Sequence, residues 1–257
     1  MIEKKIHYCW FGKGEMKPLM KKCLKSWKKY CPDYEIIEWN EENFDVNSTL
    51  WTKQAYEAKK YAFVADYVRL KVLYEYGGVY FDTDQELIKP IASFVNHKAF
   101  LGFIDNTDIS CGVMGAEKHN SIIKEFLDSY ENKSFIQGDV IETKPNTDIF
   151  TQILVRNGLD QNGEYQVVSD IHIYPRTYFC PTSCVDPTNY VSDKTVSIHH
   201  WAMTWRKESE KNTFARVKRH QTKWYRTLEK LRYLPNKAVR KIFGDERIDS
   251  LKKKLKK

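Results

Sequence analysis

The stretch YAFVADYVRLKVLYEYGGVYFDTDQE (Tyr61–Glu86) decides the fold of this 257-residue chain. Its first part predicts a helix over Tyr61–Tyr76, because apolar residues recur at helical spacing and a pair of glycines supplies the stop. The β-branched and aromatic run Val79–Phe81 then predicts a buried strand. Two carboxylates, Asp82 and Asp84, follow directly, so the segment places two negative charges at the end of a core strand.

Two like charges at the edge of an apolar core are unfavourable unless something neutralises them. If the segment stays extended, alternate side chains share a face, and Asp82 and Asp84 point the same way. Hard oxygen ligands suit Mg²⁺ or Mn²⁺, which in turn bridge phosphates. In open α/β sheets, ligand sites collect beyond the carboxyl ends of strands. The pair therefore indicates a metal-dependent enzyme that acts on a phosphorylated donor, although a solvated turn is the plain alternative.

The rest of the chain is typical of an α/β domain that opens with a strand–helix–strand unit. Strands are predicted over 2–10, 34–39, 99–104, 111–116, 166–168, 172–174 and 195–200, and further helices over 17–30, 50–59, 121–130 and 148–157. We predict a catalytic domain over residues 1–205 and a helical tail over 206–257.

The net charge of +8 is concentrated in that tail. Residues 216–257 carry 16 Lys or Arg against 4 Asp or Glu, whereas the rest of the chain carries 26 against 30. Apolar residues interleave with the basic ones, as in helices that lie at a membrane interface. We expect the tail to bind an anionic membrane surface. A solvated charged helix is the alternative, and no motif supports nucleic-acid binding.

The cysteine pattern and the hydropathy bear on location. The six cysteines show neither a disulfide framework nor zinc-finger spacing, and no stretch has the apolar core of a signal peptide or a membrane span. We therefore expect a reduced, cytoplasmic protein with free thiols, held peripherally at the inner face of the plasma membrane.

Further polar residues are candidates for the same site. Asp66 and Arg69 share one face of the predicted helix among mostly apolar neighbours, so half-buried charges that bind sugar hydroxyls or phosphate compete with an ordinary intrahelical ion pair. Of the adjacent His199 and His200, one faces the site and can complete a metal shell, although a core histidine is the usual reading. Trp10 can stack on a nucleotide base or simply pack in the core.

Together these motifs resemble glycosyltransferase family 32, whose members carry a DXD sugar-binding motif. That family includes bacterial capsular-polysaccharide enzymes and relatives of yeast mannosyltransferases, and it is distantly similar to the glucosylating domains of clostridial toxins. The matching pieces are IHYCWFG, SWKKYCPDYEIIEWNEENFD, KYAFVADYVRLKVLYEYGGVYFDTDQEL and HHWAMTW, which span about residues 1–205. The resemblance implies a GT-A-type α/β nucleotide-sugar-binding domain with a mixed, largely parallel sheet.

The resemblance also implies roles for the site residues. Asp66 and Arg69 would bind hydroxyls of the transferred sugar, and Asp82 would join them and meet the metal through water. Asp84 would ligate Mn²⁺ or Mg²⁺ directly. The other residues expected around the donor or the metal are Trp10, Tyr80, His199, His200, Thr204 and Trp205.

The implied reaction moves a sugar from a nucleotide-sugar, with UDP favoured over GDP, to a hydroxyl of a glycan or lipid-linked acceptor. Surface polysaccharide synthesis is the expected context, and retention of anomeric configuration is the expected outcome. A haloacid-dehalogenase-type phosphatase also places a DxD pair after an apolar strand. However, that class prefers a small or branched residue where this chain has Glu86. A basic nucleic-acid-binding protein is the non-enzyme alternative.

Deleting residues 216–257 is expected to release the protein from vesicles that contain anionic lipid, because the basic residues and their apolar neighbours are removed together. Co-sedimentation with anionic vesicles measures this, with neutral vesicles as the control. Equal binding by the full chain and the shortened chain would contradict a membrane role for the tail.

Overall fold

A parallel strand–helix–strand unit forms the start of the fold, as the sequence predicts. Strand β1 (Lys5–Cys9) leads into helix α1 (Pro18–Tyr30) and then strand β2 (Glu35–Trp39). The two strands pair in parallel along their full lengths.

The computed structural model describes residues 1–138, 140–141, 146–183 and 188–202. These described residues belong to one structural unit, and a second unit of residues 184–187 and 208–257 lies outside them, as does the predicted tail.

The remaining elements follow in chain order. They are α2 (Leu50–Glu57), α3 (Tyr61–Tyr76), β3 (Gly78–Phe81), β4 (Gln85–Leu87), β5 (Ala99–Phe103), β6 (Ile109–Ala116), α4 (Ser121–Asp128), β7 (Ile136–Gln137), β8 (Val140–Ile141), α5 (Asn146–Arg156), β9 (Gln166–Val168), β10 (Ile171–Tyr174), α6 (Arg176–Phe179) and β11 (Ser197–His199).

The central sheet has the strand order β2-β1-β3-β6-β5-β10-β9. The pairs β1–β2, β1–β3 and β5–β10 are parallel, whereas the β6 and β9 pairings are antiparallel. Five of these seven strands therefore run in one direction, and β6 and β9 run against them. This confirms the prediction of an α/β fold with a mixed, largely parallel sheet.

The core lies on both faces of this sheet, and β3 contributes to each. Val79 and Phe81 join the cluster that includes Trp27 of α1, whereas Tyr80 joins the cluster that covers α3. Alternate residues of a strand point to opposite faces, so the residue two after Tyr80 is directed toward α3. The alternation of side chains along β3 therefore places Asp82 on the face of the sheet that packs against α3.

The sequence-based prediction missed four short elements and one turn. Strands β4, β7 and β8 and the single-turn helix α6 were not predicted, because two to four residues carry too little periodicity. The acidic motif does not stay extended, so the condition under which Asp82 and Asp84 would share one strand face is not met. β3 ends at Phe81, and the amide of Gln85 donates to the carbonyl of Asp82 at 2.9 Å, which closes a turn over Asp82–Asp84.

Two glycines end helix α3 and begin β3. Gly77 and Gly78 have φ angles of 62° and 106°, a region that side chains with a Cβ rarely adopt. A Cβ on Gly78 would also lie 2.9 Å from the carbonyl oxygen of Lys5 on the neighbouring strand. The glycine pair therefore permits both the sharp reversal and the close approach of β3 to β1.

No helix among the described residues is long and apolar enough to cross a bilayer. The cysteines of the described part (Cys9, Cys23, Cys31, Cys111 and Cys180) are all free and buried.

His7 fixes the junction between α3 and the sheet. Its imidazole is fully buried, its Nε2 lies 2.8 Å from the carbonyl oxygen of Gly77, and the indole N–H of Trp39 donates to its Nδ1 at 3.1 Å. Because the indole only donates, Nδ1 accepts and Nε2 carries the proton. Burial lowers the pKa of His7 from 6.5 to about 4, so the ring is neutral in the folded state at neutral pH.

This lowered pKa makes stability depend on pH. The unfolded chain binds a proton at His7 below pH 6.5, whereas the folded chain does not until about pH 4. The contribution of His7 to the free energy of unfolding is therefore fully present above the unfolded pKa of 6.5 and is lost as the pH falls toward the folded value. Between about pH 7 and about pH 5 the free energy of unfolding decreases by roughly 2 kcal/mol from this cause.

His7→Gln is expected to remove this part of the pH dependence, because glutamine does not titrate. Urea unfolding at about pH 7 and about pH 5 measures the difference. The control is His119→Asn, which changes an exposed histidine and keeps a residue that tolerates the positive φ of that position. An unchanged pH dependence in His7→Gln would show that other groups are responsible.

Candidate functional site

Asp82 directly follows β3 and turns toward α3. Its amide donates to the carbonyl of Gly112 on β6 at 2.9 Å, and its Oδ1 accepts the hydroxyl of Tyr80 at 3.1 Å. A Cβ on Gly112 would lie 3.0 Å from the Asp82 Oδ2 atom. Gly112 therefore leaves room for this carboxylate, and the end of β3 and the middle of β6 hold it between them.

Asp66 and Arg69 of α3 form an ion pair in which Arg69 is buried and Asp66 is partly buried, not an exposed intrahelical pair. The Arg69 Nη2 lies 2.8 Å from Asp66 Oδ1 and 3.3 Å from Asp82 Oδ1, and Arg69 is 6% exposed. Its Nη1 donates to the carbonyl of Cys111 at 2.5 Å, and its guanidinium lies 4.7 Å from the centre of the Tyr80 ring. One arginine thus ties the two carboxylates, the helix and two strands into a single arrangement.

Asn146 is a member of this group that the sequence did not reveal. It is the first residue of α5, is largely buried, and donates from Nδ2 to Asp66 Oδ1 at 2.8 Å. Burial raises the pKa of Asp66 to about 6, and the guanidinium of Arg69 opposes that rise. No local pattern marks Asn146, since it lies 80 residues from its partner. Only the tertiary structure brings the two together.

Asp84 lies on the other side of the turn and receives the C-terminal segment of the described chain. Its Oδ2 accepts the amide of Ala202 at 2.7 Å, and its main-chain carbonyl accepts the amide of His200 at 3.1 Å. The imidazole Nε2 of His199 lies 3.3 Å from Asp84 Oδ1. Strand β11 pairs antiparallel with β4, with His199 opposite Gln85, so the sheet pairing brings His199 next to the acidic turn.

The charges of Asp84 and His199 support each other. Burial alone would raise the pKa of Asp84, but the nearby imidazole and the amide of Ala202 outweigh it and lower that pKa to about 2. Burial would lower the pKa of His199, but the Asp84 carboxylate outweighs it and raises that pKa well above its ordinary value. Asp84 is therefore ionised at neutral pH.

The structure separates the two histidines that the sequence left as alternatives. His199 points to Asp84, whereas the Nε2 of His200 lies 2.7 Å from Glu86 Oε2. The same Glu86 oxygen accepts a hydrogen bond from Lys22 Nζ at 2.8 Å. Adjacent residues of an extended segment face opposite ways, which is the physical reason. The inclusion of His200 among the metal ligands is therefore corrected, and His199 is the histidine of the acidic group.

Trp201 is a second residue that the sequence analysis passed over. Its ring stacks on His199 with centroids 4.3 Å apart and an angle of 22°, and its indole N–H donates to the carbonyl of Thr182 at 3.0 Å. The Cys180 Sγ lies 4.0 Å from His199 Nδ1. These contacts hold the imidazole in position. Thr204 and Trp205, which the sequence favoured, lie outside the described residues.

Trp10 and Tyr80 occupy different places relative to the carboxylates. Tyr80 is buried and contacts Asp82 and Arg69, as described above. Trp10 follows β1, is partly exposed, and donates its indole N–H to the carbonyl of Gly14 at 2.6 Å. Because β1 and β3 are parallel, both strands end at the same edge of the sheet. Trp10 therefore lies at the site's edge, and no contact joins it to the carboxylates within the described part.

Three residues of the site present a set of atoms that can bind a metal ion. One ligand atom from each of Asp82, Asp84 and His199 lies within 4.8 Å of the other two. Two carboxylates and an imidazole suit a divalent ion such as Mn²⁺, and each already has an orienting partner in Arg69, Ala202 or Cys180. The residues present therefore fit the divalent ion that the sequence predicts.

The chain is similar to known glycosyltransferases over a region that contains the acidic motif. Residues 18–101 match the family model described as a glycosyltransferase sugar-binding region containing a DXD motif. That range includes Asp66, Arg69, Asp82 and Asp84. The chain is also 28% identical over 138 residues to inositol phosphoceramide mannosyltransferase 2 of Schizosaccharomyces pombe. It is 28% identical over 130 residues to inositol phosphoceramide mannosyltransferase 3 of the same organism.

These alignments cover 52% and 49% of this chain but only 40% and 36% of the two curated relatives. Among solved structures, the PaToxG glycosyltransferase has a TM-score of 0.47 at 22% identity and covers 60% of this chain and 68% of its own. A glycosyltransferase involved in glycosylation of the major capsid of PBCV-1 has a TM-score of 0.42 at 12% identity. That alignment covers 81% of this chain and 97% of the other. The family model and the curated relatives support the prediction of a glycosyltransferase.

His199→Ala is expected to weaken Mn²⁺ binding by at least about tenfold, because one of three ligands is removed. His200→Ala is the matched control: it changes the neighbouring histidine, which contacts Glu86, and we expect nearly unchanged affinity. Titration of Mn²⁺ followed by electron paramagnetic resonance measures both. Equal losses in the two variants would contradict the separation of roles.

Proposed function

We propose that this protein is a metal-dependent glycosyltransferase that moves a sugar from a nucleotide-sugar to a hydroxyl group of an acceptor. One observation carries the proposal. The carboxylates of the DXD segment converge with the Asp66–Arg69 ion pair and His199 at the carboxyl end of β3. This arrangement falls within the matched sugar-binding region, apart from the histidine.

The donor would lie across the ends of β1 and β3 in a GT-A-type domain. The parallel β1–β3 pairing supports this, since nucleotide sites collect at the carboxyl ends of parallel strands. Trp10 at the end of β1 would stack on the base, and Thr204 and Trp205 would close over the diphosphate. UDP is the favoured nucleotide, on the basis of the resemblance to bacterial enzymes.

Asp82, Asp84 and His199 would hold Mn²⁺ or Mg²⁺. When bound, this ion supplies Lewis-acid stabilisation of the negative charge on the departing nucleoside diphosphate. The hydrogen bond from Ala202 restricts the Asp84 carboxylate to one orientation.

Asp66 and Asp82 would orient the transferred sugar. Arg69 and Asn146 both contact Asp66 at Oδ1, so Oδ2 is the oxygen that can accept a sugar hydroxyl. As the bond to phosphate breaks, the anomeric carbon becomes positively charged, and nearby carboxylates stabilise that charge. Arg69 keeps the two carboxylates at a fixed separation and prevents their mutual repulsion from moving them apart.

We further propose that transfer proceeds with retention of anomeric configuration. An inverting reaction needs a general base on the face of the sugar opposite the phosphate, and no motif of the sequence marks a residue for that role. Attack by the acceptor hydroxyl on the same face as the leaving phosphate needs no such base, because the phosphate oxygen can take the proton.

The acceptor is proposed to be a glycan or a lipid-linked saccharide in surface polysaccharide synthesis. The names of the two fission-yeast relatives describe mannose transfer and inositol phosphoceramide. A basic tail at the inner face of the plasma membrane would keep the enzyme close to a lipid-linked acceptor. Both points rest on resemblance and composition.

The proposal is tested by donor hydrolysis, since many glycosyltransferases slowly transfer the sugar to water. Purified protein with Mn²⁺ and a panel of UDP- and GDP-sugars is expected to release nucleoside diphosphate from one donor. Release should fall at least about a hundredfold with EDTA or in Asp84→Asn, which loses a charged ligand. The control is Asp170→Asn, which changes an exposed aspartate paired with Lys98.

Product analysis completes this experiment. Proton NMR of the newly released sugar, recorded before mutarotation, is expected to show the anomer of the donor. The inverted anomer would contradict retention while leaving the reaction class in place. Release of inorganic phosphate from simple phosphoesters, with every nucleotide-sugar left intact, would favour the phosphatase alternative instead.

A further inference from the structure

An open groove of about 530 Å³ lies on the side of α3 away from the carboxylates. Its walls are the residues before α2, the outer face of α3, helix α4 and the turn formed by residues 130–133. Tyr67, Lys71 and Tyr74 recur at spacings of four and three residues, so they form one stripe along α3. Asp66 and Arg69 form a separate stripe that faces the sheet. The groove is therefore distinct from the donor site.

The groove offers aromatic rings and free hydroxyl groups together. Tyr67 and Tyr74 are half-buried, and neither hydroxyl has a hydrogen-bond partner among the described residues. Ser48 adds an exposed hydroxyl, and Asn132 adds a side-chain amide. A ligand that presents apolar ring faces and many hydroxyls satisfies both features at once. A saccharide has this chemistry.

The charges of the groove are largely neutralised by the protein itself. Lys71 pairs with Glu75 at 2.6 Å, and Lys124 pairs with Asp128 one turn along α4. Lys133 and Glu131 add one positive and one negative charge to the lining. A strongly anionic ligand would meet no concentrated positive charge here, so an uncharged polyhydroxylated ligand fits better than a phosphate or a sulfated chain.

One end of the groove approaches the donor site. Lys133 lines the groove, and its ammonium lies 4.8 Å from the Trp51 ring and 5.5 Å from the Tyr130 ring. The Tyr130 ring also lies 5.9 Å from the ring of Tyr67, the residue that follows Asp66 on α3. A ligand that runs along the groove toward this end therefore reaches the level of α3 at which Asp66 lies.

We propose that this groove binds the saccharide chain of the acceptor and directs its end toward Asp66. This inference rests on the proposed function, which supplies the donor side of the reaction. Tyr67 and Tyr74 bind sugar rings and hydroxyls, and they are specificity-determining residues that do not contact the reacting atoms.

The test places a bulky side chain in the groove and compares its effect on saccharide binding with that of the same side chain at a neighbouring position outside the groove. Ser48→Trp places an indole in the groove, whereas Asn47→Trp places the same group at an adjacent exposed position outside it. The probes are linear oligosaccharides of mannose, glucose, galactose and N-acetylglucosamine, and binding to the full chain is measured by calorimetry and saturation-transfer NMR. At least one probe is expected to bind, with affinity about tenfold weaker in Ser48→Trp and unchanged in Asn47→Trp.

A second variant keeps the test valid if Ser48→Trp does not fold. Replacing Tyr67 and Tyr74 together by Phe keeps the rings and removes two hydroxyl contacts, with about tenfold weaker binding expected. Tyr76→Phe, at an exposed tyrosine outside the groove, is the control. Failure of every probe to bind, or equal binding by groove and control variants, would overturn the inference.

Donor hydrolysis separates this inference from the proposed function. The groove residues do not contact the donor carboxylates, so Ser48→Trp should release nucleoside diphosphate as fast as the unmodified protein. If donor hydrolysis is normal but the groove variants and the control variants bind saccharides equally well, only the proposal of an acceptor groove is refuted. Absence of hydrolysis in the unmodified protein would instead count against the glycosyltransferase.

Discussion

The site depends on the neutralisation of three carboxylates at one edge of a sheet. Asp66 and Asp82 share the guanidinium of Arg69, and Asp84 lies against the imidazole of His199. Each acidic group therefore has a basic partner supplied by the protein. Without those partners, burial would protonate the carboxylates or push them toward water. The partners keep them charged and fixed, which metal and sugar binding both require.

This constraint explains why distant segments meet. Arg69 reaches across from α3 to the carbonyl of Cys111 on β6, and the strand β11 returns from the end of the described chain to pair with β4. The amide of Ala202 and the imidazole of His199 then both contact Asp84. The acidic turn is thus the point where the N-terminal half and the late segment are joined, so changes there affect folding and chemistry together.

Much of the fold was predictable because its signals are local. Helix α3 has the predicted bounds, since its apolar run and its glycine stop lie within one stretch of chain. The strand–helix–strand opening was equally clear. The turn at Asp82–Asp84 and the short strand β4 were not, because a three-residue strand acquires its identity only from pairing with β11. In the same way, Asn146 and Trp201 carry no local signal.

The sequence by itself determined the types of residue at the site and the helix and strand that present Asp66, Arg69, Asp82 and Asp84. These follow from periodicity and from the position of charges at the end of an apolar strand. Only the tertiary structure decided that His199, not His200, meets Asp84, and that Arg69 bridges two carboxylates. Such choices depend on which face of a strand points inward and on which distant strand pairs with it, and no neighbouring residues encode either.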